Sequence, residues 1–140
     1  MTGRLLGVDW GAKRIGFSLS DPSQTVAQPL TTITRRLGRR FPLKKLREIV
    51  EAHQPVGFVV GLPLDSDGAE GEPARQAREL GDLIGRSTGL PVTYADERMT
   101  SSRALRAVSE MGGKTRGREG EVDQLAATVL LQAFLDARRR

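Results

Sequence analysis

The sequence predicts an α/β fold in which one mixed five-stranded sheet carries helices on both faces. Short apolar runs with strand periodicity fill the first part of the chain, and from Pro42 onward segments with helical periodicity alternate with further apolar runs. The 140 residues suit one compact domain, and no linker or internal repeat divides them. We therefore expect a single domain over residues 1–140.

The first three elements are predicted to form an antiparallel meander. Residues 5–8 are a short apolar run typical of a buried strand, and residues 14–20 alternate apolar and other residues, as a half-buried strand does. Gly11 lies in the short turn between them and indicates a hairpin. A third strand over residues 27–33 contains Pro29, which has no N–H to donate and therefore favours an edge of the sheet.

The rest of the chain is predicted to alternate helices and strands, as β-α-β crossovers do when they add parallel strands to a sheet. Proline and glycine mark most of the boundaries. In chain order the predicted elements are a helix from Pro42 to just before Pro55, a central strand at 56–60, a helix at 72–88, a strand at 91–95, a helix capped by Thr100 or Ser101 and ended by Gly112 and Gly113, and a helix at about 121–137.

The charge balance favours a polyanionic partner. Lys and Arg number 22 against 17 Asp and Glu, which gives a net charge of +5. Basic surfaces bind nucleic acid because phosphate neutralisation releases condensed counterions. The alternative is that the charge serves solubility alone, and composition does not separate the two. Basic residues cluster at 35–47, 114–118 and 138–140.

Two absences narrow the class of protein. The chain has no cysteine, which excludes disulfides, thiolate metal sites and a cysteine nucleophile. It also has no apolar run long enough to cross a bilayer, and its first residues lack the pattern of a signal peptide. We expect a cytoplasmic protein with no membrane partner.

Two acidic residues directly follow predicted strands. Asp9 ends the first strand, and Glu97 follows the strand at 91–95. We expect that these two strands can lie side by side with their C-terminal ends together, at the edge where ligands gather in α/β sheets. Because Asp96 and Glu97 alternate in direction, one of them would point at the site. The alternatives are a turn role for Asp9 and a helix-entry role for Glu97.

A third acid, Asp123, lies at the start of the last predicted helix. Helical spacing predicts that Val122 and Leu125 face the core, which leaves Asp123 at the border of the buried face. Acids in a first helical turn also favour the helix dipole, so Asp123 alone indicates little. It gains weight as the third member of a set with Asp9 and Glu97.

The chemistry of phosphodiester hydrolysis explains why such a set is useful. The reaction needs a nucleophilic hydroxide and compensation for the negative charge that grows on the phosphate and the leaving oxygen. Two hard cations about 3.5–4 Å apart supply both, and clustered carboxylates hold them. The three acids therefore predict a nuclease that uses Mg²⁺ or Mn²⁺.

Basic residues beside the acids are candidates for binding phosphate. Lys13 and Arg14 follow Asp9 in the turn, and Arg98 follows Glu97. Each of them could equally be a surface residue or the partner of a neighbouring acid. Trp10 could stack on a base, although a tryptophan beside a strand more often belongs to the core.

Four short motifs, taken together, are specific. They are residues 7–16 (GVDWGAKRIG) with Ser20 and Asp21, residues 60–64 (VGLPL) with Gly68 and Gly71, residues 96–100 (DERMT), and residues 122–127 (VDQLAA). In these segments the chain resembles the YqgF family of bacterial Holliday-junction-resolvase-like proteins, which are regarded as pre-16S rRNA nucleases. The motifs occur in family order and spacing and cover nearly the whole chain.

The resemblance implies a ribonuclease H-like fold and a metal site built from Asp9, Glu97 and Asp123, with Asp9 as the bridging ligand. It also implies a role in maturing the 5′ end of 16S ribosomal RNA. Arg14 and Arg98 would be phosphate contacts, and Lys13 and Thr100 complete the expected substrate-binding set. Departures are mild: Met99 stands where leucine is more frequent, residues 36–40 are rich in arginine, and the basic glycine-rich stretch 112–120, predicted to be a mobile loop, has an open role.

Several functions compete at this stage. The leading one is a metal-dependent nuclease acting on precursor ribosomal RNA, with the ribosome as a further partner and a monomer or weak homodimer as its state. A Holliday junction resolvase would act on branched DNA and would work as a dimer. A third reading is a non-catalytic RNA-binding assembly factor for the ribosome. An ATPase of the actin and sugar-kinase type ranks last because it needs two lobes.

Overall fold

The fold is built on one mixed five-stranded sheet. The structure is a computed structural model that describes residues 2–35, 41–111 and 117–139. The strand order of the sheet is β3-β2-β1-β4-β5. The strands are β1 (Leu5–Trp10), β2 (Arg14–Ser20), β3 (Ala27–Thr34), β4 (Gly57–Leu62) and β5 (Val92–Asp96); the helices are α1 (Leu43–His53), α2 (Glu72–Thr88), α3 (Ser102–Met111) and α4 (Glu119–Ala137), and a 3₁₀ turn covers Glu97–Met99.

The order of elements along the chain agrees with the prediction, and Pro29 lies on the edge strand β3 as expected. The expectation that β5 can lie beside β1 is wrong, because β4 lies between them and pairs in parallel with both. β4 is buried along its whole length, as its continuous apolar run requires. Since β1, β4 and β5 are parallel, their C-terminal ends still share one edge of the sheet.

Helices cover both faces of the sheet, as predicted. On one face, Leu46 of α1 and Leu80 and Ile84 of α2 pack in a core cluster with strand residues such as Val8 and Phe58. On the other face α4 lies across the sheet, where its leucines at 131 and 135 pack on Val59. The buried carboxylates described below lie on the α4 face.

The buried sides of the last two helices differ from the expected ones. Leu125, predicted to face the core, is 46% exposed, whereas Asp123 is buried. Apolar residues surround α4 almost completely, so periodicity alone does not fix its rotation. On α3 the buried residues are Ser102 and Ser109, and the apolar Val108 and Met111 are exposed.

Element boundaries differ by a few residues from the predicted ones. α4 begins at Glu119 rather than near 121, whereas α3 begins at Ser102, directly after Ser101, one of its two predicted cap residues. The arginines of 36–40, residues 112–116 of the predicted loop, and Arg140 lie outside the described residues, as does the side chain of Met99. Within the described part of the chain, no helix is both long and apolar enough to cross a membrane.

Close packing of α2 on β5 sets the position of the strand that leads to Glu97. Gly81 of α2 lies directly against the Tyr94 ring, where a Cβ would collide with the ring. The Tyr94 hydroxyl donates to the carbonyl of Arg78, 3.1 Å away. One turn further along the helix, a Cβ at Gly85 would make ordinary contact with Val92 at 3.4 Å.

These two glycines give a matched pair of substitutions. Gly81→Ala is expected to lower the free energy of unfolding by about 1–3 kcal/mol, because the new methyl group overpacks the Tyr94 contact. Gly85→Ala is expected to raise it by about 0.5–1 kcal/mol, because alanine favours a helix interior and has room there. Urea unfolding followed by circular dichroism measures both; equal effects for the two variants would contradict the packing.

Candidate functional site

Three acidic side chains lie on the α4 face at or near the C-terminal edge of the sheet. Asp9 is near the end of β1, Glu97 opens the 3₁₀ turn after β5, and Asp123 is in the second turn of α4. They are almost completely buried, with 2%, 1% and 4% of their surface exposed, respectively. Burying a carboxylate is unfavourable unless cations and donors replace its water.

Glycines on the strands make room for two of these acids. Gly16 of β2 pairs with Asp9 across the ladder, and a Cβ at Gly16 would collide with the backbone carbonyl of Asp123. A Cβ at Gly61 of β4 would lie 2.5 Å from Oε1 of Glu97. Glycine in a strand often marks a close approach of this kind.

Asp9 and Glu97 share one arginine from α3. Nη1 of Arg106 donates to Oδ1 of Asp9 at 2.5 Å and to Oε1 of Glu97 at 2.9 Å. Its Nη2 donates to Oε2 of Glu97 at 3.1 Å. Two carboxylates from distant parts of the chain therefore converge on a single cationic nitrogen.

Burial and neighbouring charges oppose each other in this cluster. Burial raises the pKa of Asp9 well above the ordinary aspartate value; Arg106 opposes the rise and the negative charge of Glu97 adds to it. For Arg106, burial acts to lower the pKa, but the hydrogen bonds and charges of Glu97 and Asp9 outweigh it and raise the pKa above its usual range. The arginine therefore stays charged between the two acids.

Asp123 has its own set of partners. Nε of Arg14 donates to its Oδ2 at 2.5 Å, and the Ser109 hydroxyl donates to its Oδ1 at 2.5 Å. Nη2 of Arg14 also donates to the backbone carbonyl of Ser109 at 3.1 Å. Arg14, predicted to contact phosphate, is here the counter-ion of the third acid.

α3 contributes to both groups, and the sequence reasoning missed this. Arg106 and Ser109 are three residues apart on one face of the helix, which turns toward the acids. Arg103 of the same helix donates to the carbonyl of Leu64 at 2.7 Å and lies 3.9 Å from Glu97. The sequence signal for this role is the polar stripe of α3, which lies opposite its apolar residues.

The other predicted binding residues have partners outside the acid cluster. Arg98 donates to both carboxylate oxygens of Asp96 and to the carbonyl of Ser66. Its hydrogen bonds lower the pKa of Asp96. Of the adjacent pair Asp96 and Glu97, Glu97 is the one that reaches Arg106 and Asp9, in agreement with the expected alternation.

Lys13 and Thr100 lie at the two ends of α3. Nζ of Lys13 donates to the carbonyl of Glu110 at 3.2 Å, and the carboxylate of Glu110 accepts from the N–H of Ala12 at 2.8 Å. The Thr100 hydroxyl donates to the carbonyl of Glu97 at 3.1 Å and accepts from the N–H of Ser102 at 3.2 Å. Both residues therefore fasten α3 to the strand ends.

Trp10 lies on the opposite face of the sheet from the acids, against the α1–α2 core. The guanidinium of Arg35 covers its ring at 3.7 Å from the ring centre and donates to the carbonyl of Gly11. This face of the Trp10 ring is therefore in contact with Arg35 of the protein itself.

The donor set fits a hard divalent cation in part. Oxygens of Asp9 and Glu97 already converge on one cationic nitrogen, and carboxylate oxygens are the ligands that Mg²⁺ and Mn²⁺ prefer. Asp123 is held apart by Arg14 and Ser109. Across residues 2–35, 41–111 and 117–139, no group of three or more His, Cys, Asp or Glu side chains is placed to hold a metal ion.

Comparison with known proteins assigns the family. A family model described as "RuvX: Holliday junction resolvase" matches residues 3–137. The chain belongs to this family. A protein of Lactobacillus delbrueckii subsp. bulgaricus is 39% identical over 98% of this chain and 99% of its own length, and one of Koribacter versatilis is 42% identical over 97% and 88%. Both relatives carry the name "Putative pre-16S rRNA nuclease".

A solved structure supports the same architecture. Thermus thermophilus RuvC in complex with a Holliday junction substrate superposes with a TM-score of 0.53 and 16% identity, covering 97% of this chain and 96% of its own. The ribonuclease H-like fold, expected from the resemblance, is thereby confirmed. The RuvX family is a family of nucleases, and membership implies dependence on a divalent metal ion.

The Arg14–Asp123 pair predicts a large effect on stability. Arg14→Met leaves a buried carboxylate without its cation, and we expect the free energy of unfolding to fall by about 3 kcal/mol, the lower end for a broken buried pair because Ser109 still donates to Asp123. Urea unfolding at pH 7 measures it. Arg75→Met, which breaks the exposed pair with Glu72, is the matched control and should change little.

A second variant separates charge from packing. Asp123→Asn combined with Arg14→Met removes the buried charge together with its partner, so most of the lost stability should return. An Arg14→Met protein as stable as the wild type, or a double variant no better than the single one, would contradict the assigned role of this pair.

Proposed function

We propose that this chain is a divalent-metal-dependent nuclease that matures the 5′ end of precursor 16S ribosomal RNA, with Mg²⁺ or Mn²⁺ as its ion. One observation carries the proposal: two buried carboxylates, Asp9 and Glu97, direct their oxygens at a single cationic position at the C-terminal edge of the sheet. In open α/β sheets this edge is where ligands bind.

In the proposed site Asp9, Glu97 and Asp123 would hold the metal ions. When bound, such ions activate a water molecule and stabilise the charge that develops on the phosphate. The fold holds the three acids in fixed positions. Asp9 is on a central strand, Glu97 packs against Gly61, and the backbone of Asp123 packs against Gly16. Asp123 would join the other two acids once Arg14 turns away from it.

Basic residues at the rim are the proposed phosphate contacts. Lys13 and Arg98 are exposed, so their positive charge is open to a nucleic acid that passes over the acids. Arg14, when released from Asp123, would be a third contact close to the scissile bond. Thr100 borders the same edge, and its hydroxyl would donate to a phosphate oxygen.

The relatives favour RNA as the substrate. Two proteins that align over nearly their whole length are named for pre-16S rRNA, and the net charge of +5 suits any polyanion. We propose that residues 1–140 act as one domain in the cytoplasm, as a monomer or weak homodimer, on RNA that is bound to or emerging from the ribosome. Cleavage of four-way DNA junctions is the second candidate, favoured by the family description.

Asp9→Asn is expected to lower the rate of cleavage of a labelled 16S precursor at least about a hundredfold, because an amide is a far weaker ligand for a hard cation than a carboxylate. The assay uses purified protein with Mg²⁺ or Mn²⁺, a chelator control, and a four-way DNA junction in parallel. Glu72→Gln, an exposed acid on α2, is the matched control and should cleave at the wild-type rate.

Circular dichroism of Asp9→Asn shows whether it remains folded. Cutting that survives Asp9→Asn or the chelator would contradict a carboxylate–metal nuclease. Cutting of the junction but not of the RNA would move the substrate to branched DNA. Tight binding of RNA without turnover under either ion would favour a non-catalytic assembly factor instead.

A further inference from the structure

The guanidinium of Arg106 contacts carboxylate oxygens of both Asp9 and Glu97, and one metal ion bound to both acids would compete with it for those oxygens. We propose that Arg106 is the resident cation of the Asp9–Glu97 pair, and that a divalent ion must displace its guanidinium in order to bind both carboxylates. The inference rests on the proposed function and extends it, because it identifies a residue of α3 that sets the affinity for the metal.

Competition follows from the atoms involved. Nη1 of Arg106 donates to Oδ1 of Asp9 and to Oε1 of Glu97, and Nη2 donates to the second oxygen of Glu97. Three of the four carboxylate oxygens therefore already accept a charged hydrogen bond. Each of these oxygens has a second lone pair, but an ion in contact with both Oδ1 of Asp9 and Oε1 of Glu97 would lie close to Nη1 of Arg106. Its positive charge would repel the guanidinium at close range in a site with little water.

The arginine is easier to move than the acids. Asp9 is on the central strand β1, and Glu97 is wholly buried over Gly61. Arg106 reaches them on a long flexible side chain from α3, whose buried residues are the polar Ser102 and Ser109. A helix with little buried apolar surface opens at a low cost in free energy. Displacement therefore moves Arg106 and leaves the carboxylates in place.

Arg106 is thus a positioning residue in the metal-free protein. It holds two like charges side by side at a spacing set by one nitrogen, so the ligands are already gathered when an ion arrives. The same contact opposes the ion until its concentration is high enough to replace the arginine. Arg106 therefore both preorganises the two carboxylates and competes with the metal ion for them.

The test is a titration of the full chain with Mn²⁺, followed by the electron paramagnetic resonance signal of the free ion. Arg106→Met is expected to bind Mn²⁺ about tenfold more tightly than the wild type, because a competing unit charge is gone. Arg103→Met removes the same charge from the same helix, but Arg103 lies 3.9 Å from Glu97 and its side chain is 43% exposed. We expect it to change the affinity by less than about threefold, because a partly exposed charge is well screened.

The melting temperature gives a second readout, because Arg106→Met should lower it without metal and should increase the rise that Mn²⁺ causes. Without metal, Arg106→Met should melt at a lower temperature than the wild type, because two buried carboxylates lose their cation. Saturating Mn²⁺ should raise its melting temperature more than that of the wild type, since tighter binding stabilises the folded state further. Equal or weaker Mn²⁺ binding by a folded Arg106→Met would overturn the proposal.

A measurement on the wild type covers the case in which Arg106→Met does not fold. In an ¹⁵N-arginine NMR spectrum, assigned with Arg106→Lys, the Arg106 side-chain signal should shift and lose its protection from solvent exchange when Mg²⁺ is added. A signal that stays unchanged while Mg²⁺ binds would overturn the displacement.

Failure of this inference can be told from failure of the proposed function. If the precursor RNA is cut and Arg106→Met binds Mn²⁺ no more tightly, only the role of Arg106 is wrong. If the wild type binds Mn²⁺ at a site that Asp9→Asn abolishes and Arg106→Met strengthens, but RNA is never cut, the displacement stands and the nuclease proposal falls. If neither ion binds to any variant, both fall.

Discussion

The free-energy cost of three buried carboxylates is the constraint on which this edge of the molecule depends. Asp9, Glu97 and Asp123 are almost fully withdrawn from solvent, and a buried carboxylate needs cations and donors in place of water. α3 supplies two of these partners: Arg106 donates to Asp9 and Glu97, and Ser109 donates to Asp123. Among the described residues no buried side-chain nitrogen or oxygen lacks a partner. A helix with a polar inner face is therefore held in place by the acids it neutralises, rather than by an apolar core of its own.

The same constraint explains glycines that weaken the strands on which they lie. Glycine in a strand loses more backbone entropy on folding than other residues and offers no side chain to pack. On the α4 face, however, a Cβ at Gly7 would lie 3.1 Å from Cβ of Leu131, and one at Gly61 would lie 2.9 Å from Leu130. These positions let α4 approach the sheet closely, and at Gly16 and Gly61 they leave room for Asp123 and Glu97.

Periodicity predicted the elements because it is a local property of the chain: α2 covers residues 72–88 in both sequence and structure. It could not predict the rotation of α4, since apolar residues surround that helix and either Leu125 or Asp123 could face inward. Nor could it pair the acids, because Arg106 is 97 residues from Asp9. Arg98, the arginine adjacent to Glu97, bonds Asp96 instead, because Asp96 caps the 3₁₀ turn that contains Arg98 and also accepts from its backbone N–H.

The charge balance of the site indicates an order of events. Two arginines in hydrogen-bond contact, Arg106 and Arg14, neutralise two of the three carboxylates, and Arg103 is farther away and partly exposed to screening solvent. With all three carboxylates ionised, one negative charge would remain, in a chain whose net charge is +5. A phosphate that approached this edge before any added cation would be attracted by the basic surface as a whole and repelled by the acids themselves. On the proposed function, the acids must gain positive charge first, and the backbone of the nucleic acid can contact them only afterwards.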